Sequence, residues 1–172
     1  MSVALAGMAR NAGASDFRPG PRVTGLIGDQ YVPWNPQPAK PAKFAVVLLS
    51  WSDGPAAPWP ASRLRNVLTG GGRSVERHLA EASNGVVRFR TAQNTPGVDI
   101  FGWYQLPYSS TSEASCDDNR LQADAIAKAK GVNLDVYDKV AIVVPSQHCF
   151  WAGLGDYYGG KWLWISLPPV VT

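Results

Sequence analysis

The sequence is poor in the residues that most enzymes use for chemistry. It has two histidines, two cysteines and two methionines in 172 residues. No HExxH occurs, nor any other pair of histidines at helical spacing, so a two-histidine metal helix cannot be assembled from these residues. A GxSxG elbow, which would expose a serine nucleophile at a strand-to-helix turn, is missing too. No apolar run approaches the roughly 20 residues that cross a bilayer. The longest, Phe44 to Leu49, has the length of a strand. The net charge of +3, with Lys and Arg spread singly along the chain, argues against a nucleic-acid groove.

What is present describes a globular chain. A hydrophobic fraction of 45% against a charged fraction of 17% is too apolar for disorder. The length suits one domain. Residues 1–42 form a Gly/Pro-rich N-terminal arm, with Pro19, Pro21, Pro33, Pro36, Pro38 and Pro41, and the domain proper occupies 43–172. Within the arm the apolar stretch Val3 to Met8 is short and no Lys or Arg precedes it, so it gives no clear signal peptide.

FAVVLLSW (Phe44 to Trp51) is continuously apolar, the pattern of a central strand covered on both faces. A loop, SDGPAAPWP, follows. The spacing of Val75, Leu79 and Ala82 predicts a helix over Ser74 to Ser83, capped by Ser74 and stopped by Asn84-Gly85. VVRFRT (Val86 to Thr91) alternates like a half-buried strand, and Val98 to Pro107 is another candidate. A second helix opens at Asp117 or Asp118, turns Leu121, Ala125, Ile126 and Ala129 inward and stops at Gly131. Lys139 to Val144 reads as a second buried strand. FWAGLGDYYGGKWLWIS reads as a glycine-rich hairpin turning at Gly159-Gly160. The order predicts an α/β fold, a mixed sheet with two packed helices.

Candidate site residues carry modest signals. TGGGRS lacks the lysine and hydroxyl of a nucleotide loop. His78 sits mid-helix as a partly exposed structural residue. His148 follows a buried strand, at the sheet end where α/β proteins place ligands, but no nucleophile and orienting group accompany it. A hydrolase using His148 with Cys149 is the weakest reading. Cys116 and Cys149 could form a disulfide, remain free thiols, or share a zinc ion with His148, which would still be short of four ligands. Trp151, Tyr157, Tyr158, Trp162 and Trp164 give the hairpin an aromatic, possible ligand-facing surface; packing is the plainer use of such residues.

The order of local patterns resembles a known family. The strand KFAVVLLSW, the helix ending EASNGVVRFR, VDIFGWYQLP, a cysteine loop, LQADAIAKAKG, NLDVYDKVAIVVPSQHCFWAGLG and GGKWLWIS together resemble the catalytic domain of gametolysin-type zinc metallopeptidases. The related immune-inhibitor-A-type secreted peptidases share this plan. The resemblance spans about residues 43 to 167 and rests on structural motifs. It implies a zincin-like (metzincin-like) twisted, mostly parallel sheet, peptide or protein substrates in full-length relatives, and an extracellular or cell-envelope location. It also favours a Cys116–Cys149 disulfide. In that family the zinc-binding HExxH helix follows shortly after the glycine-rich hairpin. Here no zinc ligand carries over onto any position, so the expectation is an incomplete domain, a fragment inactive as given, with no cofactor of its own. The alternative is a complete, non-catalytic peptide- or glycan-binding domain on a peptidase-like scaffold.

Overall fold

A strand made from Phe44 to Leu49 has two apolar faces and needs cover on both. The computed structural model describes residues 41–83, 85–146, 152–155 and 160–168, all within one compact unit, Gln37–Thr172. In it, β1 (Ala42–Ser50) runs through a six-stranded sheet, and Ala45 to Leu49 are fully buried. On one side β1 pairs in parallel with β4 (Lys139–Pro145), from Phe44 opposite Lys139 to Leu48 opposite Val143. On its other side lie β2 (Phe89–Arg90) and then β3 (Asp99–Gln105), both parallel to it. Beyond β4 comes β6 (Trp162–Leu167), parallel again, and then β5 (Gly153–Gly155), antiparallel to β6. The molecule is thus a mixed α/β protein with a mostly parallel sheet.

Side-chain alternation sends each strand's residues to two cores. Ala45, Val47 and Leu49 of β1 join Val140, Ile142 and Val144 of β4 and Trp164 of β6 beneath α3 (Asp118–Lys128), whose Leu121 and Ala125 are fully buried. Phe44, Val46 and Leu48, with Ala141 and Val143, form the opposite core. This second face is covered by α1 (Ala61–Thr69), through Leu64 and Leu68, and by α2 (Val75–Ala82), through Leu79.

Both predicted helices form where their caps place them. Ser74 Oγ accepts from Arg77 N at 3.3 Å, and Asp117 Oδ1 accepts from Arg120 N at 3.0 Å. Helix α1 is a third, beyond the two expected. Its signal was short: Leu64 and Leu68 one turn apart, started by Pro60, whose carbonyl accepts from Arg63 N and Leu64 N. The strand expected over Val86 to Thr91 shrinks to Phe89–Arg90. Side chains take the backbone donors that a longer ladder would use: Ser83 Oγ accepts from Val87 N at 2.8 Å and Glu76 Oε1 from Phe89 N at 3.0 Å. The hairpin is present as β5 against β6, while Gly159 of its expected turn lies outside the described residues.

Between Val47 and Leu49 the β1–β3 register slips, so that β3 places Gly102 and Trp103 opposite Leu48. A Cβ at Gly102 would lie 2.5 Å from the Leu48 carbonyl oxygen, at a φ of +99° that favours glycine. The Gly102–Trp103 peptide is cis. No helix among the described residues is long and apolar enough to cross a membrane.

Candidate functional site

Strands β1, β3, β4 and β6 are mutually parallel, so their carboxyl ends lie at one end of the sheet, the place where open α/β sheets offer crevices. The loops there are tied together by side chains. Trp51 Nε1 donates to the Pro145 carbonyl at 3.2 Å, linking the ends of β1 and β4. Gln105 Nε2 donates to Trp51 O, and Ser52 N to Tyr108 O. Asp53 receives Ser110 N on one carboxylate oxygen and Ser110 Oγ on the other, each at 3.0 Å. The Ser110 amide is the main cause that holds the Asp53 carboxyl below its ordinary range.

Behind this clasp, Tyr108 OH donates to Asp124 Oδ2 of α3 at 2.7 Å, and Arg120 Nε reaches the same oxygen at 3.2 Å. Burial first, and then this carboxylate, push the Tyr108 phenol well above its ordinary pKa. The chain continues into a 3-10 turn, Glu113–Cys116, pinned by the fully buried Ser115, whose hydroxyl donates to Ser110 O and Ser112 O. Cys116 therefore sits on the loop that crosses the carboxyl end of the sheet. It is not a free thiol.

The second feature is the sheet edge. Ser166 N donates to Ala152 O, which makes 152 and 166 a hydrogen-bonded pair. In an antiparallel ladder such pairs alternate, so Leu154 faces β6 with its peptide groups while the N–H and C=O of Gly153 and Gly155 point outward. All three residues of β5 are exposed, and among the described residues β6 is its one strand partner.

The sequence-derived candidates distribute unevenly over this geometry. His148, Cys149, Trp151, Tyr157 and Tyr158 lie outside the described residues. Trp164 is 4% exposed, packs in the core beneath α3, and donates its indole N–H to Asp118 O at 3.1 Å. Trp162 is partly buried against the same core. The indole of Trp164 is thus engaged in packing, with little surface left for a ligand. His78 is exposed on α2. The Asp53–Ser110 clasp was not legible in the sequence, because its partners are 57 residues apart and neither belongs to a motif.

Zinc, which the family resemblance implies, does not fit the donor set in view. Among the described residues no three His, Cys, Asp or Glu side chains converge on a common point, and His78 stands alone on its helix. The sequence matches no known family model, and neither the curated proteins nor the solved structures include a significant match.

Proposed function

We propose that this chain carries the sheet-bearing part of a gametolysin-type, zincin-like zinc metalloendopeptidase domain, and that its contribution is to hold an extended peptide. The observation that carries this reading is the sheet order β3-β1-β4-β6-β5, with a glycine-rich antiparallel strand at the edge, following the same order of motifs that resembles the peptidase family. A peptide laid along β5 would pair with the outward N–H and C=O of Gly153 and Gly155, and the absence of side chains there lets another backbone come close. Hydrolysis by a peptidase of that type uses a zinc-bound water, and the 172 residues contain no HExxH to hold one. The chain as given binds and does not cleave. A non-catalytic peptide-binding domain on the same scaffold would use the same edge; a glycan-binding one would need the aromatic hairpin, and the burial of Trp164 weakens that platform.

Cys116 supports the secreted setting. It is not a free thiol, and Cys149 is the one other cysteine in the sequence. We propose that they pair, tying the loop over the carboxyl end of the sheet to the segment after β4, in an oxidising compartment.

The edge can be tested by a single substitution. Gly153→Pro removes the outward N–H and leaves the groups facing β6 in place, while Gly153→Ala keeps it. A Cβ at Gly153 meets only Trp164 O, at 3.5 Å, so the alanine fits sterically, and the proline ring replaces the N–H on the side that faces away from β6. Fluorescence anisotropy with a labelled, extended hydrophobic decapeptide is expected to show binding by the native chain and Gly153→Ala, and about tenfold weaker binding by Gly153→Pro. Equal binding by all three would overturn the edge-pairing reading.

A further inference from the structure

The net charge of +3 conceals a segregation that the fold makes spatial. Residues 61–90, which supply α1, α2 and β2, carry six arginines, no lysine, and two acids, Glu76 and Glu81, for a net +4. Residues 91–168 carry eight carboxylates against five basic side chains, a net −3. Helices α1 and α2 cover one face of the sheet and α3 the other, so the arginines on and between α1 and α2 lie on the side opposite Asp118 and Asp124, while Arg90 lines a separate depression with Lys43 and Asp138. In the linear sequence these arginines read as scattered. Arg63 and Arg65 lie on α1, Arg77 on α2 and Arg73 in the turn between them, and Arg88 shares a depression with Arg77, which brings five of the six to the α1–α2 side.

Among the described residues little neutralises them. Glu76 accepts the Phe89 N–H, and Glu81 pairs with Arg77 at 2.6 Å in an exposed i,i+4 bridge, which is weak. Arg65, Arg73 and Arg88 are exposed and make no ion pair among the described residues. Arg77 and Arg88 line a depression of about 420 Å³ together with Ala80, Glu81 and Gly85. Guanidinium forks meet sulfate and carboxylate oxygens two at a time, in a geometry that lysine does not offer.

The surroundings select among polyanions. Stacking of nucleic-acid bases needs an open aromatic face, and the Trp59 ring at the end of α1 is already covered by Arg63 at 4.0 Å. Insertion into an anionic bilayer needs large apolar anchors. Here there are only single valines, Val67, Val75 and Val86, exposed at 49%, 40% and 42%. Small aliphatic groups beside guanidiniums match a chain that alternates C–H faces with acidic groups. We propose that the α1–α2 face binds an acidic polysaccharide. This is independent of peptide pairing at β5.

Affinity chromatography and calorimetry at about 50 mM salt, where surface charge is only partly screened, test it. Heparin serves as the sulfated probe and polygalacturonate as the carboxylated one. The native chain is expected to bind at least one of them, which also identifies the acidic group. Arg65→Gln/Arg73→Gln/Arg77→Gln/Arg88→Gln is expected to bind about tenfold more weakly or worse, and Lys128→Gln/Lys130→Gln on the α3 side to bind like the native chain. The double variant Arg65→Gln/Arg88→Gln, expected to show an intermediate loss, replaces the fourfold variant if that one misfolds. Binding of neither probe, an equal loss from the α3-side variant, no loss from the arginine variants, or equally tight binding of duplex DNA or anionic vesicles would each overturn the proposal.

Discussion

Replacing Trp164 tests whether the hairpin tryptophan is a structural residue. It stands on β6 beneath α3, 4% exposed, with its N–H on the Asp118 carbonyl. A buried Trp withdraws about 150–250 Å² from water, which at about 25 cal/mol per Å² is about 4–6 kcal/mol and is an upper bound. Truncations of this kind cost about 3–5 kcal/mol when the cavity only partly closes. Trp164→Ala is therefore expected to lose about 4 kcal/mol, a large share of the stability of a domain this size. Trp164→Phe keeps a ring in the core but gives up the hydrogen bond, about 1 kcal/mol, and leaves a void of similar cost, about 2 kcal/mol in all. Urea unfolding followed by far-UV circular dichroism separates the two, since fluorescence changes with the tryptophan itself. At about 3–5 °C per kcal/mol, Tm falls by about 5–10 °C for Phe and by more than about 10 °C for Ala. An alanine variant within about 1 kcal/mol of the native chain would refute the packing argument and return Trp164 to the candidates for ligand contact.

Stability is expected to fall in alkali. Tyr137 OH donates to Asp99 Oδ2 at 2.8 Å, and burial, followed by this carboxylate, raises its phenol pKa well above the ordinary value, as happens at Tyr108. In the unfolded chain both release their protons near pH ~10, while the folded chain holds them to higher pH. Between those limits the folded state binds more protons, so stability is fully present below pH ~10 and is lost as pH rises above it. Melting curves from pH ~8 upward should stay level and then drop, with a shallower drop for Tyr137→Phe; a drop of equal steepness would count against the assignment. Reduction tests the cysteine pair. Closing the loop from Cys116 to Cys149 stabilises by about 3–4 kcal/mol in the chain-entropy model. A reductant is then expected to lower Tm by about 10 °C or more in the native chain and to leave Cys116→Ser/Cys149→Ser unchanged. Alkylation of two thiols without reductant would refute the pairing.

The parts of the fold legible in the sequence were those set by local chemistry. Phe44 to Leu49 is apolar at every position, so its central place needed no tertiary information, and the caps Ser74 and Asp117 fixed two helix starts. Helix α1 escaped because its nine residues bury only Leu64 and Leu68, with Val67 exposed and Arg63 and Arg65 on either side of Leu64, so no clear apolar stripe shows in the sequence. The strand at Val86 to Thr91 is shorter than its alternation predicts, because alternation cannot show that Ser83 and Glu76 capture its amides. Of the site, the glycine-rich edge was visible as composition, and the outward direction of its N–H groups only as register.

The two proposed binding surfaces are physically separate. Helix α1, through Leu64 and Leu68, and helix α2, through Leu79, pack against the core of Phe44, Val46 and Leu48. The outer edge of β5, without a strand partner among the described residues, lies three strand positions from β1, through β4 and β6, or about 14 Å at the usual strand spacing. The charges of the arginine face are exposed, and over more than a Debye length, about 8 Å in physiological salt, they are largely screened from β5. Sites so far apart and without a shared partner respond additively to mutation. Peptide pairing draws on backbone groups that salt scarcely affects, whereas polyanion binding draws on guanidiniums that salt weakens. On these two proposals, a chain held to an acidic matrix by one face is expected to keep its β5 edge available to peptide, and raising the ionic strength is expected to release the anchor without unloading the edge.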